Sequence, residues 1–227
     1  MNRWVAYLLA GVAAAVPAVP ATADITLSQL VVELQPGKHD RQDVDVANGG
    51  SEPAYVEVAP REIVAPGTTA ETPRQDPDPE KLGLLVSPAR MILAPGQHRL
   101  IRIATLLADT DRERVYRVTV KPVVGKVSST QSGLKLLLGY DMLVLVRPAV
   151  ATVAVTAARS GKALTFRNDG DVSVELIDGQ QCDSAGHCSA LANKRLYSGA
   201  SWTEQLNGTG AVTYTVNSPG KSERRRF

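Results

Sequence analysis

His39, His98 and His187, with Cys182 and Cys188, are all the imidazoles and thiols of this chain. Imidazoles can carry general acid–base chemistry and thiols nucleophilic chemistry, provided each has a partner at a fixed spacing. Each histidine stands in or beside a polar turn, where a solvated ring is the usual outcome. Neither a G-x-S-x-G elbow nor an H-E-x-x-H helix occurs. Two carboxylate pairs, Asp43 with Asp45 and Asp76 with Asp78, have the composition for acid–base work. The first alternates outward on a strand and the second lies among prolines, so solvation accounts for both. The residue types point to binding, with no catalytic constellation and no cofactor.

The N-terminus sets the compartment. Arg3 precedes an apolar run from Trp4 to Val19 and then Ala21-Thr22-Ala23. That order reads as a secretory signal peptide, residues 1–23, cleaved after Ala23. The apolar run contains Pro17 and Pro20 and is short of the about 20 residues a bilayer span needs, so no stable membrane insertion is expected. Cys182 and Cys188 bracket DSAGH, and in an exported chain that spacing reads as a disulfide across a turn. The competing reading is a metal site completed by Asp183 and His187. Structural zinc needs four placed ligands, and the sequence offers no second histidine–cysteine pair. The formal net charge is +2, which argues against nucleic acid as a partner. Arg224-Arg225-Arg226 reads as a solvated tail.

The elements that must position any binding residues are strands. Roughly 200 mature residues suit two domains of about 100, and 44% hydrophobic content suffices for two cores. Ile25 to Leu34 reads as one apolar first strand, ended by Pro36-Gly37. Val44 and Val46 alternate with Asp43 and Asp45, and Asn48-Gly49-Gly50 closes that strand. Thr68 to Glu80 is rich in proline and charge and reads as an exposed loop. In the run 114–123, Val115, Arg117, Thr119 and Lys121 share one face opposite Tyr116, Val118 and Val120. A period of two, broken by Pro and Gly, indicates antiparallel sandwiches. The pattern resumes after Pro148 in a second, smaller set of strands, where Asp169-Gly170 is a hairpin signal. The expected domains are 24–148 and 149–227.

One segment stands apart: QSGLKLLLGYDMLVLVRP, residues 131–148. As a strand it points Leu134, Leu136 and Leu138 to one face, and Pro148 ends the pairing because it has no N–H to donate. So apolar a strand either fills a core or offers its row to a partner.

Leu84-Leu85-Val86-Ser87-Pro88, Leu93-Ala94-Pro95-Gly96-Gln97, Arg102, the run Asp111 to Val118 and Val146-Arg147-Pro148 complete a pattern. P-x-x-x-x-L-x-P-G, an isolated arginine and then D-R-E-x-x-Y-R is much more specific than any piece of it. The chain resembles the periplasmic pilus chaperones, most of all the branch serving common-pilus and class 5 (alpha-type) fimbriae. The resemblance implies an all-β molecule of two immunoglobulin-like β-sandwich domains in an L, with a cleft between them for a pilus subunit. It implies periplasmic location and an outer-membrane usher as a further partner. It also implies donor-strand complementation, in which Leu134, Leu136 and Leu138 would fill the groove of a subunit lacking a strand.

The resemblance breaks at the anchor for the subunit. Better-known members hold the subunit's C-terminal carboxylate with an arginine on the first strand and a lysine near the end of the donor strand. Those positions fall close to Val31 and Leu143 here. The anchor is then absent, moved to Arg90, Arg117 or Arg147, or replaced by backbone N–H groups; Arg147 is equally a candidate hinge residue. The family's buried ionic contact between domains maps onto Arg102 and Glu113 as a structural pair, its third, acidic member falling near Asn217-Ser218. The alternative reading is a pilus subunit or another extracellular immunoglobulin-like adhesion module. Against it stand two strand sets and the position of the apolar segment before the hinge.

Overall fold

The computed structural model describes residues 25–123 and 138–227. The expected signal peptide and Leu134 and Leu136 lie outside the described residues. In chain order the first part contains β1 (Ile25–Leu27), β2 (Val31–Leu34), β3 (Arg41–Asn48), β4 (Ala54–Val64), β5 (Thr72–Arg74), a short helix α1 (Pro79–Leu82), β6 (Leu84–Ser87), β7 (Arg90–Leu93), β8 (His98–Thr105), β9 (Arg114–Val123) and β10 (Tyr140–Val146). One sheet runs β1-β3-β8-β6 and the other β2-β10-β9-β4-β5, with β7 also on β4. The two close over a core that includes Val44, Ile101, Ile103, Tyr116, Val118 and Val144.

The period of two places these side chains. In β8, Ile101 and Ile103 are buried while Arg99, Leu100 and Arg102 are exposed, and in β9 Tyr116, Val118 and Val120 all turn inward. Several expectations change. The apolar run 25–34 is two strands divided between the sheets, β1 beside β3 and β2 beside β10. The β2–β10 pair is parallel, so the sandwich is not purely antiparallel. The stretch 68–80 is exposed over much of its length but holds β5 and the start of α1. Asp78 caps that helix, its carboxylate accepting from the Glu80 N–H at 3.0 Å, and Gly83 ends it at φ +82°, a left-handed position where glycine has no Cβ penalty.

The second part contains β11 (Val155–Ser160), β12 (Ala163–Asn168), β13 (Val174–Cys182), β14 (Cys188–Ala190), β15 (Lys194–Leu196), β16 (Ser201–Gln205), β17 (Ala211–Ser218) and β18 (Lys221–Arg226). Its sheets run β11-β12-β16 and β14-β13-β17-β18, with β15 on β13. Phe166, Tyr214 and Phe227 meet edge to face at its centre, and Trp202 stacks on Phe166. Arg224 to Arg226 are not a tail. They lie in β18, where Arg224 donates to the Asp178 carbonyl and the Thr213 hydroxyl.

Asp169-Gly170 is not a hairpin either. It lies between β12 and β13, which belong to different sheets. Asn168 is fully buried and builds the crossing: its side-chain amide donates to the carbonyls of Val172 and Leu196, and its oxygen accepts from the Gly170 N–H. Asn48 does the same in the first sandwich, bonding to Glu52, Leu93 and Gly50. A buried amide with its donors and acceptor satisfied locally fixes a turn that packing alone would leave loose.

Cys182 and Cys188 face each other across β13 and β14 and are disulfide-bonded. A cross-link over so short a loop constrains the unfolded chain by about 2–3 kcal/mol. Replacing both by serine is expected to lower unfolding free energy by that amount and leave the fold intact. Chemical denaturation of the double variant checks this, and reduction of the parent should add two hydrogens to its mass. Among the described residues no helix is long and apolar enough to cross a membrane.

Candidate functional site

β10 is an interior strand of the first sandwich that also touches the second. It pairs with β2 on one side and β9 on the other. Its residues Met142 to Val146 are all buried, as a strand covered on both faces requires. Met142, Val144 and Val146 enter the first core. Leu143 and Leu145 turn the other way and pack with Val115 and Ile63 of their own sheet and with Tyr197 of the second sandwich. Leu138 stands just ahead of β10 and is 72% exposed; Leu30, Val31 and Val123 are also well exposed. The expected apolar segment is thus core at its C-terminal end, while its last predicted donor residue faces solvent.

Cross-strand register orders the outer face of this sheet into rows, because directly paired residues share a face. Nearest the second sandwich lie Ile63, Val115, Leu145 and Glu33. The next row is Arg61, Arg117, Leu143 and Val31. Then come Ala59, Thr119 and Asp141, then Arg90, Glu57 and Lys121, and finally Ile92, Tyr55 and Val123. Apolar rows therefore flank a charged centre. Val31 and Leu143, where the family resemblance implies basic residues, are neighbours in register, and Arg117 follows directly.

The charges in that centre are partly compensated. Arg61 grips Asp141 with both branches of its guanidinium, Nη1 to Oδ1 at 2.9 Å and Nη2 to Oδ2 at 2.8 Å, and Nη1 also donates to the Thr119 hydroxyl. Arg117 Nη1 donates to the Asp141 backbone oxygen at 3.3 Å and forms no ion pair among the described residues. Glu57 meets both Lys121 and Arg90 at 3.3 Å, and those cations, Lys121 foremost, hold its carboxyl below the usual range. In the three central rows four cations, Arg61, Arg117, Arg90 and Lys121, face two carboxylates, Asp141 and Glu57. Arg117 is the direct register partner of Leu143, which packs in the cluster that includes Tyr197; burial pushes the Tyr197 hydroxyl up, while Arg117 and Arg195 pull it down. Arg90 lies further along the sheet, its side chain 82% exposed.

Two expected roles are corrected. Arg102 does not pair with Glu113. It sits on β8 in the other sheet, directly opposite Asp43 in register, and grips that carboxylate with two bonds of 2.8 Å; the guanidinium holds the Asp43 carboxyl down. Glu113 lies at the seam between the sandwiches, where its side chain is 1% exposed and meets Arg147 Nε at 3.1 Å. It accepts the Ser173 N–H, and its own N–H donates to the Asp171 carbonyl. Burial pushes the Glu113 carboxyl up, opposed by Ser173 and the Arg147 charge. Arg147, a candidate anchor, is 12% exposed and also bonds Glu33 at 2.8 Å. It already holds two carboxylates at the seam between the sandwiches.

The remaining chemical residues are paired simply. His98 meets Asp45 at 2.7 Å and His187 meets Asp183 at 3.2 Å, all of them well exposed. Among the described residues no group of three or more His, Cys, Asp or Glu could hold a metal ion. Sequence reasoning missed Arg61, whose only signal was its position in a long alternating strand. It could not be aligned with Arg117 until the β4–β9 register was known.

Residues 24–152 match the family described as pili and flagellar-assembly chaperone, PapD N-terminal domain. A curated relative, a CFA/I fimbrial subunit of Escherichia coli, is 26% identical over 185 residues, 75% of this chain and 76% of its own. The solved structure of the class 5 fimbriae chaperone CfaA superposes with a TM-score of 0.68 at 23% identity, covering 89% of this chain and 98% of its own. A chain from the complex of Salmonella enterica SafA pilin with the SafB chaperone gives a TM-score of 0.63 at 18% identity, covering 92% and 98%.

Proposed function

Since this chain belongs to the pili and flagellar-assembly chaperone family, we propose that it captures pilus subunits in the periplasm by donor-strand complementation and passes them to an outer-membrane usher. In this reading residues 1–23 are a cleaved signal peptide, and the chain divides into domains at Pro148–Ala149. The observation that carries it is β10, an interior strand led into by an exposed leucine and a leucine-rich segment. A subunit lacking one strand exposes an apolar groove and unpaired backbone groups, a template for aggregation. An added strand supplies both the ladder and the side chains.

By the period of two, a donated strand extended into Tyr140 would carry Leu134, Leu136 and Leu138 on the face that holds Met142 and Val144 in the first core. The subunit's groove would then continue that core. Burying three leucines contributes about 5–8 kcal/mol before ordering costs. The pilus-subunit reading draws support from the name of the curated relative; two sandwiches, each with two sheets, favour the chaperone. Periplasmic co-expression with a tagged pilus subunit tests the function. A stoichiometric complex is expected, and a subunit that is degraded or aggregates equally with and without this protein would contradict it.

Arg117 is the candidate anchor for the subunit's terminal carboxylate. It shares a row with Leu143 and Val31 and lacks a carboxylate partner among the described residues. Arg117→Ala is expected to weaken subunit binding about tenfold, or about 1.4 kcal/mol, with little change in melting temperature. Wild-type affinity in that variant would leave backbone N–H groups as the anchor.

A further inference from the structure

We infer that Asp141 is a built-in competitor for the cationic centre of the cleft, and that Arg61 joins Arg117 as a second guanidinium for an incoming terminal carboxylate. This rests on the reading that the cleft receives a subunit's C-terminus. Arg61 and Arg117 are direct cross-strand partners, a placement in which like charges repel. Asp141 relieves that repulsion from the adjoining row. Its carboxylate takes both branches of Arg61, its backbone oxygen takes Arg117, and the Thr119 hydroxyl donates to Oδ1 at 3.1 Å. The carboxylate is held by Arg61 alone, while Arg117 bonds only the Asp141 backbone oxygen, so two guanidinium charges face one carboxylate charge and the uncompensated charge is centred on Arg117.

An incoming carboxylate meets Arg117 directly but gains the Arg61 fork only by displacing Asp141. That exchange is accessible, because the side chains of Asp141 and Arg61 are 44% and 25% exposed. Displaced, Asp141 turns to water. One carboxylate replaces another on the same guanidinium, so the exchange is close to balanced in free energy. A carrier that must later surrender its cargo benefits from an anchor that can be taken back. Planar, bidentate recognition suits Arg61 to this role better than a lysine.

The test uses the whole mature protein and a labelled peptide of alternating valine and threonine, made with a free C-terminal carboxylate and as its C-terminal amide. Asp141→Asn is expected to bind the free-acid peptide about three- to fivefold tighter, the range an exposed ion pair supports, and to bind the amide as wild type does. Arg61→Ala should weaken the free acid alone, and the double variant Arg61→Ala with Asp141→Asn should match Arg61→Ala. If Asp141→Asn fails to fold, Asp141→Ser carries the same prediction. A folded Asp141 variant with no gain, or a gain that persists in the double variant, overturns the inference. So does equal binding of acid and amide by the wild type, while subunit capture, scored separately by co-purification, would still stand.

Discussion

Leu136→Asp is expected to abolish recovery of a co-expressed pilus subunit while leaving the protein folded. Leu136 is the middle of three leucines spaced by two, and in the proposed complex its side chain enters an apolar groove. A carboxylate there has no partner, and burying it unpaired costs several kcal/mol. Adding the lost transfer energy of the leucine, about 2 kcal/mol, the total exceeds about 4 kcal/mol and therefore a factor of about a thousand in affinity. Circular dichroism and pull-down together check the result. A folded variant with wild-type recovery of its partner would remove the leucine row from the site.

The second large effect is at the seam. Glu113→Ala is expected to destabilise the protein by about 3 kcal/mol, the low end for breaking a buried ion pair, because Glu33 still covers part of the Arg147 charge. The Ser173 N–H also loses its acceptor, so the loss falls on contacts between the sandwiches. Glu113→Gln keeps an acceptor and should cost less. Burial holds the Glu113 carboxyl above its ordinary pKa, so the folded state binds that proton more tightly than the unfolded chain. Across the window from about 4.3 to the raised value, the slope of stability with pH is negative for this group. Its contribution is most favourable below the window and declines as pH rises through it. Glu113→Gln should remove that slope in denaturation series at stepped pH. Asp43→Ala, which breaks the exposed Arg102 pair, serves as the control and should leave the melting temperature unchanged.

What could be read in the sequence is what depends on local period and composition. β9 alternates inward and outward as expected, the apolar run before Pro148 ends in an interior strand, and the two cysteines are paired. What could not be read depends on which strand lies beside which. Ile25 to Leu34 has no compositional break, yet its halves join different sheets, since the choice is made by β3 and β10 as partners. Asp169-Gly170 has hairpin chemistry, but Asn168 uses its buried amide to send the chain to the other sheet. Arg102 was matched to Glu113 by family pattern; register gave it Asp43 instead. The same cause hid the cationic row, because Arg61 and Arg117 are 56 positions apart in sequence and meet only through the β4–β9 register.

The donated strand itself is open to direct measurement. Hydrogen exchange of the amides in the segment 131–139 should be compared between the free chaperone and its complex with a pilus subunit. Donor-strand complementation places those N–H groups in a ladder with the subunit, so the account predicts strong slowing of exchange in the complex, greatest around Leu134 to Leu138. Unchanged exchange there, in a complex shown to be stoichiometric, would mean that the subunit is held by some other surface and would contradict the account.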